Sequence, residues 1–446
     1  MFFPEVCMKN VNPARELAAK SLRRLSDGKY VNLEVSAALK PGALSSEDRG
    51  LYTALVYGVV ERLITLDYII EKQAVRPVCE ISEDALWALR LGIYQLAFMD
   101  KIPPHAAVDQ SVELCEKRSS RGFVNAVLRS FIRGGCKVCY PDRISGGEAG
   151  YLSVRYSVPI PLCRMFIEWY GAEFSEKLFS AFLQKENIGV RVNTLKISVN
   201  DAAERIGAVI SGVCGFNLSV SSVSDERVAS GLDEGLWFVQ DAASSLCAQV
   251  LAPQPGERIS DVCAAPGGKS FAAAISMKNR GEVYSFDLHE NKISLIRRGA
   301  KRLGIDIISA RDRDARNPDS ALLAQCDRVL CDAPCSGFGV IGKKPDIKYK
   351  DPESAARLPS IQLDILRSSS GYVKEGGILV YSTCTLNPEE NGGVVGRFLA
   401  ENEDFEKCPF EWSGGRCEGE LTLFPHLHKT DGFYICKLKR RDKVRG

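Results

Sequence analysis

From residue 251 onward the chain alternates short β-rich runs with loops and helical stretches, and this alternation restricts its fold more than any other feature. The runs are RISDV (258–262), EVYSFD (282–287), IDIISA (305–310), DRVLCD (327–332) and GILVYST (377–383). Parallel neighbours need a crossover connection, so strands separated by helices predict a parallel, doubly wound α/β sheet. Ligands of such sheets bind outside the carboxyl ends of the strands. The residues that follow each run are therefore the candidates for function.

The region before it reads differently. Residues 12–133 predict helix after helix. NPARELAAKSLRRL opens with an Asn–Pro start and carries Leu17, Ala18, Ser21, Leu22 and Leu25 at helical spacing. EDRGLYTALVYGVVERLITLDYIIEKQ follows, and then ISEDALWALRLGIYQLAFM with Ser82 as its expected cap. A last stretch is expected to break near Ser119–Gly122. Residues 136–152 hold a Gly-Gly pair and a Pro without periodicity, the composition of a linker. Residues 153–250 mix a helical stretch with a strand at GVRVNTLKIS (189–198). The expected division is a helical domain over 1–135, a linker over 136–152, a small mixed α/β subdomain over 153–250 and the doubly wound domain over 251–446.

At the end of the first run of that domain, Asp261-Val262 leads into Cys263-Ala264-Ala265-Pro266-Gly267-Gly268-Lys269-Ser270 and then a helix. Small residues and two glycines let a ligand approach the backbone beside a helix N-terminus. A phosphate-binding P-loop would need Gly where Cys263 stands, and the GxGxxG spacing is also absent. The loop suits a cofactor with a nucleoside and no pyrophosphate. Asp287 ends the second run nineteen residues after Gly268, where an acid accepts hydrogen bonds from ribose hydroxyls. Asp314 falls where an adenine amino group is met, with Asp312 as its rival. The fourth run delivers Asp332-Ala333-Pro334-Cys335-Ser336-Gly337, and the fifth Ser382-Thr383-Cys384-Thr385 before a helix start near Pro388. Two cysteines at adjacent strand tips beside an Asp suggest thiolate chemistry, which a helix N-terminus would assist.

With 58 Lys+Arg against 56 Asp+Glu, the net charge is +2. Bulk charge therefore gives no reason to expect nucleic acid, and any such binding must rest on local patches. The start MFFPEVCMKN lacks the pattern of a secretory signal, and no apolar run is long enough to span a membrane. The 16 cysteines are thus expected to be thiols in a cytoplasmic protein. Cys136 and Cys139 have CxxC spacing without a second pair, so no metal site is expected.

The runs DVCAAPGGKS, DAPCSGFGVIGKKPDIKY and GGILVYSTCTLNPEENGGVV resemble the S-adenosylmethionine-dependent RNA cytosine-C5 methyltransferases over roughly residues 153–440. The helical first domain resembles the NusB-like RNA-binding domain of one branch, the small-subunit (16S) rRNA methyltransferase B group. The resemblance implies a Rossmann-like catalytic domain that uses S-adenosylmethionine and releases S-adenosylhomocysteine. Cys263, Ala264, Ala265, Pro266, Gly267, Gly268 and Lys269 would surround the methionine end of the cofactor. Asp287 would bind its ribose, Asp314 would lie near its adenine, and Asp332 would lie near methyl donor and target base. A bulky Arg313 stands where relatives often have glycine, which keeps Asp312 in contention. Cys384, in the Thr-Cys motif, would be the nucleophile, and Cys335, in the Pro-Cys motif, would assist product release.

Cytosine C5 is a poor nucleophile until a thiolate adds to C6, so covalent catalysis divides one hard step into easier ones. Asp332, protonated or sharing a proton, is expected to hydrogen-bond the N3 edge, and Cys335 to act as base or through a water. DNA cytosine methyltransferases use a Pro-Cys nucleophile, so reversed roles for the two cysteines are the rival. The chain has no Glu-Asn-Val to accompany such use, and DNA is not expected as substrate. The target base must be flipped out or single-stranded. Lys343, Lys344, Lys348 and Tyr349 are expected to contact RNA, with Arg191 and Asn193 as a weaker suggestion, and the basic tail KLKRRDKVRG is read as a soluble end. The expected partner is 16S ribosomal RNA, without a membrane and with the protein as a monomer. The catalytic motifs themselves also admit transfer RNA, and a non-catalytic NusB-like assembly factor is the reading from another class.

Overall fold

The computed structural model describes residues 11–25, 30–39, 44–184 and 187–442. The stretch 1–10 and the last four residues of the basic tail, both read above, lie outside them. The chain divides into two compact units: Met1–Leu183 with Lys343–Lys350, and Gln184–Gly342 with Asp351–Gly446.

The first unit is helical. Its helices are α1 (Pro13–Leu25), α2 (Val31–Ala38), α3 (Ser46–Glu61), α4 (Leu63–Ala74), α5 (Glu83–Phe98), α6 (Pro104–Leu114), α7 (Arg118–Arg133), α8 (Arg143–Tyr156), α9 (Ile160–Tyr170) and α10 (Ala172–Phe182). The Asn–Pro start works as expected: Asn12 Oδ1 accepts the Ala14 N–H at 3.0 Å, and Pro13, which has no N–H to leave unpaired, is the first helical residue. Ala14, Ala18 and Leu22, spaced by four, face a core with Leu55, Val59, Leu66, Leu89 and Leu128.

Several boundaries differ from expectation. Ser82 precedes α5 but makes no side-chain cap. The break in the last expected stretch falls at residues 115–117, ahead of Ser119. The expected linker holds most of α8, interrupted at Gly147, whose φ of 66° only glycine adopts readily. Helices α9 and α10, read as part of the mixed subdomain, belong to the helical unit, because Phe166, Phe179 and Tyr156 pack their rings together.

The second unit begins with a small antiparallel sheet. Its elements run β1 (Ile188–Val192), α11 (Val199–Ile206), β2 (Val209–Ile210), β3 (Asn217–Val220), α12 (Glu226–Glu234) and β4 (Trp237–Val239), with spatial order β2-β3-β1-β4. This β-α-β-β-α-β arrangement packs Val190, Val192 and Trp237 against α11 and α12. Alternation sends Arg191 and Phe238 to the other face. There α13 (Ala242–Leu251) and α14 (Gly268–Ser276) follow, and Phe238 meets the Phe271 ring edge-on at 5.8 Å.

The larger sheet contains β5 (Arg258–Asp261), β6 (Glu282–Asp287), β7 (Ile308–Asp312), β8 (Cys326–Asp332) and β9 (Val373–Thr383), all parallel. Helix α15 (Glu290–Leu303) joins β6 to β7, and α16 (Pro352–Ala356) and α17 (Leu358–Ser370) precede β9. After α18 (Gly392–Glu401) come β10 (Phe405–Lys407), a hairpin of β11 (Phe410–Trp412) and β12 (Gly415–Cys417), β13 (Glu420–Leu423), α19 (Pro425–His428) and β14 (Phe433–Arg440). The order is β10-β14-β9-β8-β5-β6-β7, with β14 antiparallel to β9. The chain reverses direction across the sheet between β5 and β8, and that switch point opens the crevice where such folds bind ligands.

Candidate active site

The loops that leave β5 and β8 flank the switch point, and β6, β7 and β9 end beside them. A cavity of about 490 Å³ lies there, lined by Cys263, Ala265, Asp287, Asp314, Asp332, Cys335 and Cys384 among others. Sequence reading missed Leu288, His289, Lys292, Ile361 and Ile365 in its wall. The first three follow Asp287 closely, and Ile361 and Ile365 stand four apart on α17, so their signals were adjacency and helical spacing.

At one end the loop after β5 turns at Gly267, whose φ is 111° and where a Cβ would come within 2.4 Å of the Phe271 ring. Glycine is required there on both counts. Gly268 starts α14, and Ala264 within the loop is buried. Asp287 accepts the Ala265 N–H at 3.3 Å and the His289 N–H at 3.1 Å, with Lys292 Nζ at 3.5 Å. Asp314 lines the cavity and is held by Arg316, whose guanidinium keeps its carboxyl below the usual range. Asp312, its rival, ends β7 with its side chain exposed.

Asp332 sits at the tip of β8. Its Oδ2 accepts from Lys269 Nζ and its Oδ1 from Ser382 Oγ, each at 2.7 Å. Both carboxyl oxygens are thus engaged by side-chain donors from two other segments. Burial opposes the charge on Lys269, but Asp332, Cys247 and Asp261 together raise its pKa above the ordinary value. Beneath this pair, burial pushes the Asp261 carboxyl up to about 7, and its Oδ2 accepts from Ser270 Oγ at 2.6 Å.

Cys335 and Cys384 meet, sulfur to sulfur, at 3.2 Å. The loops that carry them are tied together: Ser336 Oγ and Thr385 Oγ1 share a hydrogen bond of 2.6 Å, and Gly339 N donates to Cys384 O at 3.0 Å. The hydrogen bond to Cys384 raises the Cys335 thiol well above its ordinary pKa, and burial, the Cys384 charge and Glu390 add to the effect. The helix expected near Pro388 begins at Gly392. Asn391 at its start accepts from Thr383 Oγ1 and donates to Thr385 O, so it braces both neighbours of Cys384.

The residues expected to touch RNA fall into two groups. Lys344 is exposed and Lys343 partly so. The structure corrects the expectation for the others. Lys348 is 2% exposed, its Nζ donating to Glu61 O at 2.6 Å, and Tyr349 OH donates to Val60 O at 2.8 Å, all inside the helical unit. Arg191 is buried, with Nη1 on Ser245 O at 3.2 Å and its guanidinium over the Phe216 ring. Asn193 Nδ2 binds Gly235 O and Leu303 O, each at 2.9 Å. These side chains hold the protein's own backbone and are not offered to a ligand. Their polar character gave the sequence signal, and burial decided against it.

The family model described as 16S rRNA methyltransferase RsmB/F matches residues 248–439, and the NusB family model matches 12–133. The probable ribosomal RNA small subunit methyltransferase B of Bacillus subtilis (strain 168) is 38% identical, over 96% of this chain and 98% of its own. The chain belongs to the ribosomal RNA small subunit methyltransferase B family. A second member, from Synechocystis sp., is 36% identical over 96% of this chain and 99% of its own. The crystal structure of PH0851 superposes with a TM-score of 0.78 at 26% identity, over 97% of this chain and 99% of that one. The methyltransferase B family thus supplies both parts, a NusB-like helical domain and a Rossmann-like S-adenosylmethionine-dependent catalytic domain.

The cavity fits the cofactor of this family. Asp287 and Asp314 present carboxylate oxygens of the kind that hydroxyl and amino donors need, while Leu288, Ala315, Ile361 and Ile365 present apolar wall of the kind a ring needs. Among the described residues no group of three or more His, Cys, Asp and Glu is placed to hold a metal ion, and no helix is long and apolar enough to cross a membrane.

Proposed function

We propose that this methyltransferase modifies C5 of a cytosine in 16S ribosomal RNA through a covalent bond between Cys384 and C6. The observation that carries the reading is the 3.2 Å contact of the two thiols, which together with burial raises the Cys335 pKa well above its ordinary value. Cys335 keeps its proton and donates to Cys384, which favours the thiolate at Cys384. S-adenosylmethionine, held by Cys263–Lys269, Asp287 and Asp314, supplies an electrophilic methyl group when bound.

Asp332, as a carboxylate, accepts from the exocyclic amine of the target base, with the Lys269 ammonium fixed beside it. Cys384 attacks C6, and the enamine so formed makes C5 nucleophilic. After methyl transfer the C5 proton leaves to water, its bonding pair forms the C5–C6 double bond, and Cys384 departs as thiolate. A protonated Cys335 is suited to stabilise that departing thiolate by hydrogen bonding. Lys343 and Lys344 supply phosphate contacts. The work is that of a monomer in the cytoplasm, where ribosomal RNA is assembled.

The test pairs two variants with unmodified 16S rRNA and S-adenosylmethionine. Cys384→Ala should abolish methyl transfer while retaining cofactor binding, and Cys335→Ala should accumulate an RNA adduct on a denaturing gel. An adduct in Cys384→Ala and none in Cys335→Ala would reverse the two roles. Bisulfite sequencing of RNA from cells lacking the protein tests the substrate, and a signal lost from transfer RNA alone would overturn it.

A further inference from the structure

Glu390 follows the Thr-Cys motif by six residues, yet its carboxylate acts on the other cysteine's loop. It is fully buried. Oε2 accepts the backbone N–H of Ser336, next to Cys335, at 2.9 Å, and also Gln362 Nε2 at 2.9 Å. Oε1 accepts from Asn387 Nδ2 at 3.0 Å. The same Gln362 nitrogen donates to Pro334 O at 2.9 Å. Cys335 is therefore gripped from both sides, at Pro334 O and Ser336 N, by a carboxylate–amide pair. Glu390 is anchored in turn, since its own carbonyl accepts from Tyr381 OH at 2.7 Å.

A carboxylate without a cationic partner is an expensive group to bury, and three hydrogen bonds from amides are what make it tolerable here. A neutral side chain of similar size would pack as well. What a carboxylate adds is acceptor capacity on both oxygens, so it can join three donors from three segments at one point. It also places negative charge beside the Cys335 thiol, which keeps the proton on sulfur.

We propose that Glu390 is a positioning residue for the release half of the reaction, fixing the Pro334–Ser336 turn so that the Cys335 thiol faces the departing Cys384. The inference rests on the cytosine-C5 reading given above. Attack and methyl transfer act through Cys384, Asp332 and Lys269, none of which touches Glu390 through a hydrogen bond, so substitution is expected to weigh more on release than on attack.

Glu390→Gln keeps one acceptor oxygen but turns a second acceptor into a donor facing another donor. Adding Asn387→Asp exchanges the amide and the carboxylate, which restores every donor–acceptor match. With unmodified 16S rRNA and labelled S-adenosylmethionine, Glu390→Gln should lower steady-state turnover about 10-fold or more while single-turnover methylation changes by less than about 3-fold. The RNA adduct should accumulate, and Glu390→Gln with Asn387→Asp should recover turnover and clear it. Equal loss in both phases without adduct, or no loss at all, would overturn the proposal. Cys335→Ala in parallel separates the two levels: if it traps adduct and Glu390→Gln does not, Glu390 has no such role. If neither does, the covalent reading itself fails.

Discussion

Cys335 Sγ lies 3.2 Å from Cys384 Sγ, although 49 residues separate them in the chain. They meet because β8 and β9 are parallel neighbours, with Asp332 paired to Ser382 in register, so that the loops after both strands emerge side by side. Two thiols this close cannot both ionise readily, and the proposed mechanism divides the pair into a donor, Cys335, and a thiolate, Cys384.

The division is measurable. The hydrogen bond to Cys384 is the largest cause of the raised Cys335 pKa. Cys384→Ala should therefore lower the pH at which iodoacetamide half-labels the Cys335 peptide, read by mass spectrometry. An unchanged midpoint would show that the contact does not govern the Cys335 proton.

Asp287 and Asp314 should contribute unequally to cofactor affinity. Asp287 is 8% exposed and sits beside the cofactor loop through Ala265 N, whereas Asp314 is already committed to Arg316. Calorimetric titration with S-adenosylmethionine should show a loss of about 10- to 100-fold for Asp287→Ala, the scale of one or two buried hydrogen bonds to a charged group. The loss for Asp314→Ala should be smaller.

Asp261 gives stability a pH dependence of definite sign. Burial raises its carboxyl to about 7, so the folded state favours the protonated form. Its contribution is complete below the unfolded pKa of about 4 and is lost as pH rises through about 7. Asp261→Asn keeps an acceptor for Ser270 and lacks that slope. Its unfolding free energy from urea melts should gain on wild type between about pH 4 and pH 8, by an upper limit on the order of 4 kcal/mol.

Lys348 has the complementary behaviour in the helical unit. Burial lowers its pKa to about 7 against the attraction of Glu61. A depressed lysine contributes fully above its unfolded pKa of about 10 and loses that contribution as pH falls through about 7. Lys348→Met should flatten this dependence in urea melts. Because the ammonium is buried, Lys348→Met should also leave the salt slope of RNA binding unchanged, while Lys344→Ala should reduce it.

Much of the site was legible because its chemistry is carried by contiguous runs. Cys263–Lys269, Asp287, Asp332, Cys335 and Cys384 all follow strands whose β-rich composition marks them, and a parallel sheet must bring such ends to one edge. Pairings across the sheet were not legible. Lys269 to Asp332, Ser336 to Thr385 and Glu390 to Ser336 depend on register, which no single run contains. The RNA assignments failed where polarity was read as exposure. Arg191, Asn193 and Lys348 satisfy backbone groups inside the protein, and only burial distinguishes that use from a ligand contact, while the part-exposed Tyr349 spends its hydroxyl on Val60 O.

The sequence by itself determined the alternation that makes the sheet, the glycine turn and the residue types at each strand end, because these follow from local periodicity and loop chemistry. Only the tertiary structure decided that the two thiols meet and which lysines face solvent. Proton affinity and exposure depend on neighbours brought together by packing, and those neighbours lie tens or hundreds of residues away along the chain.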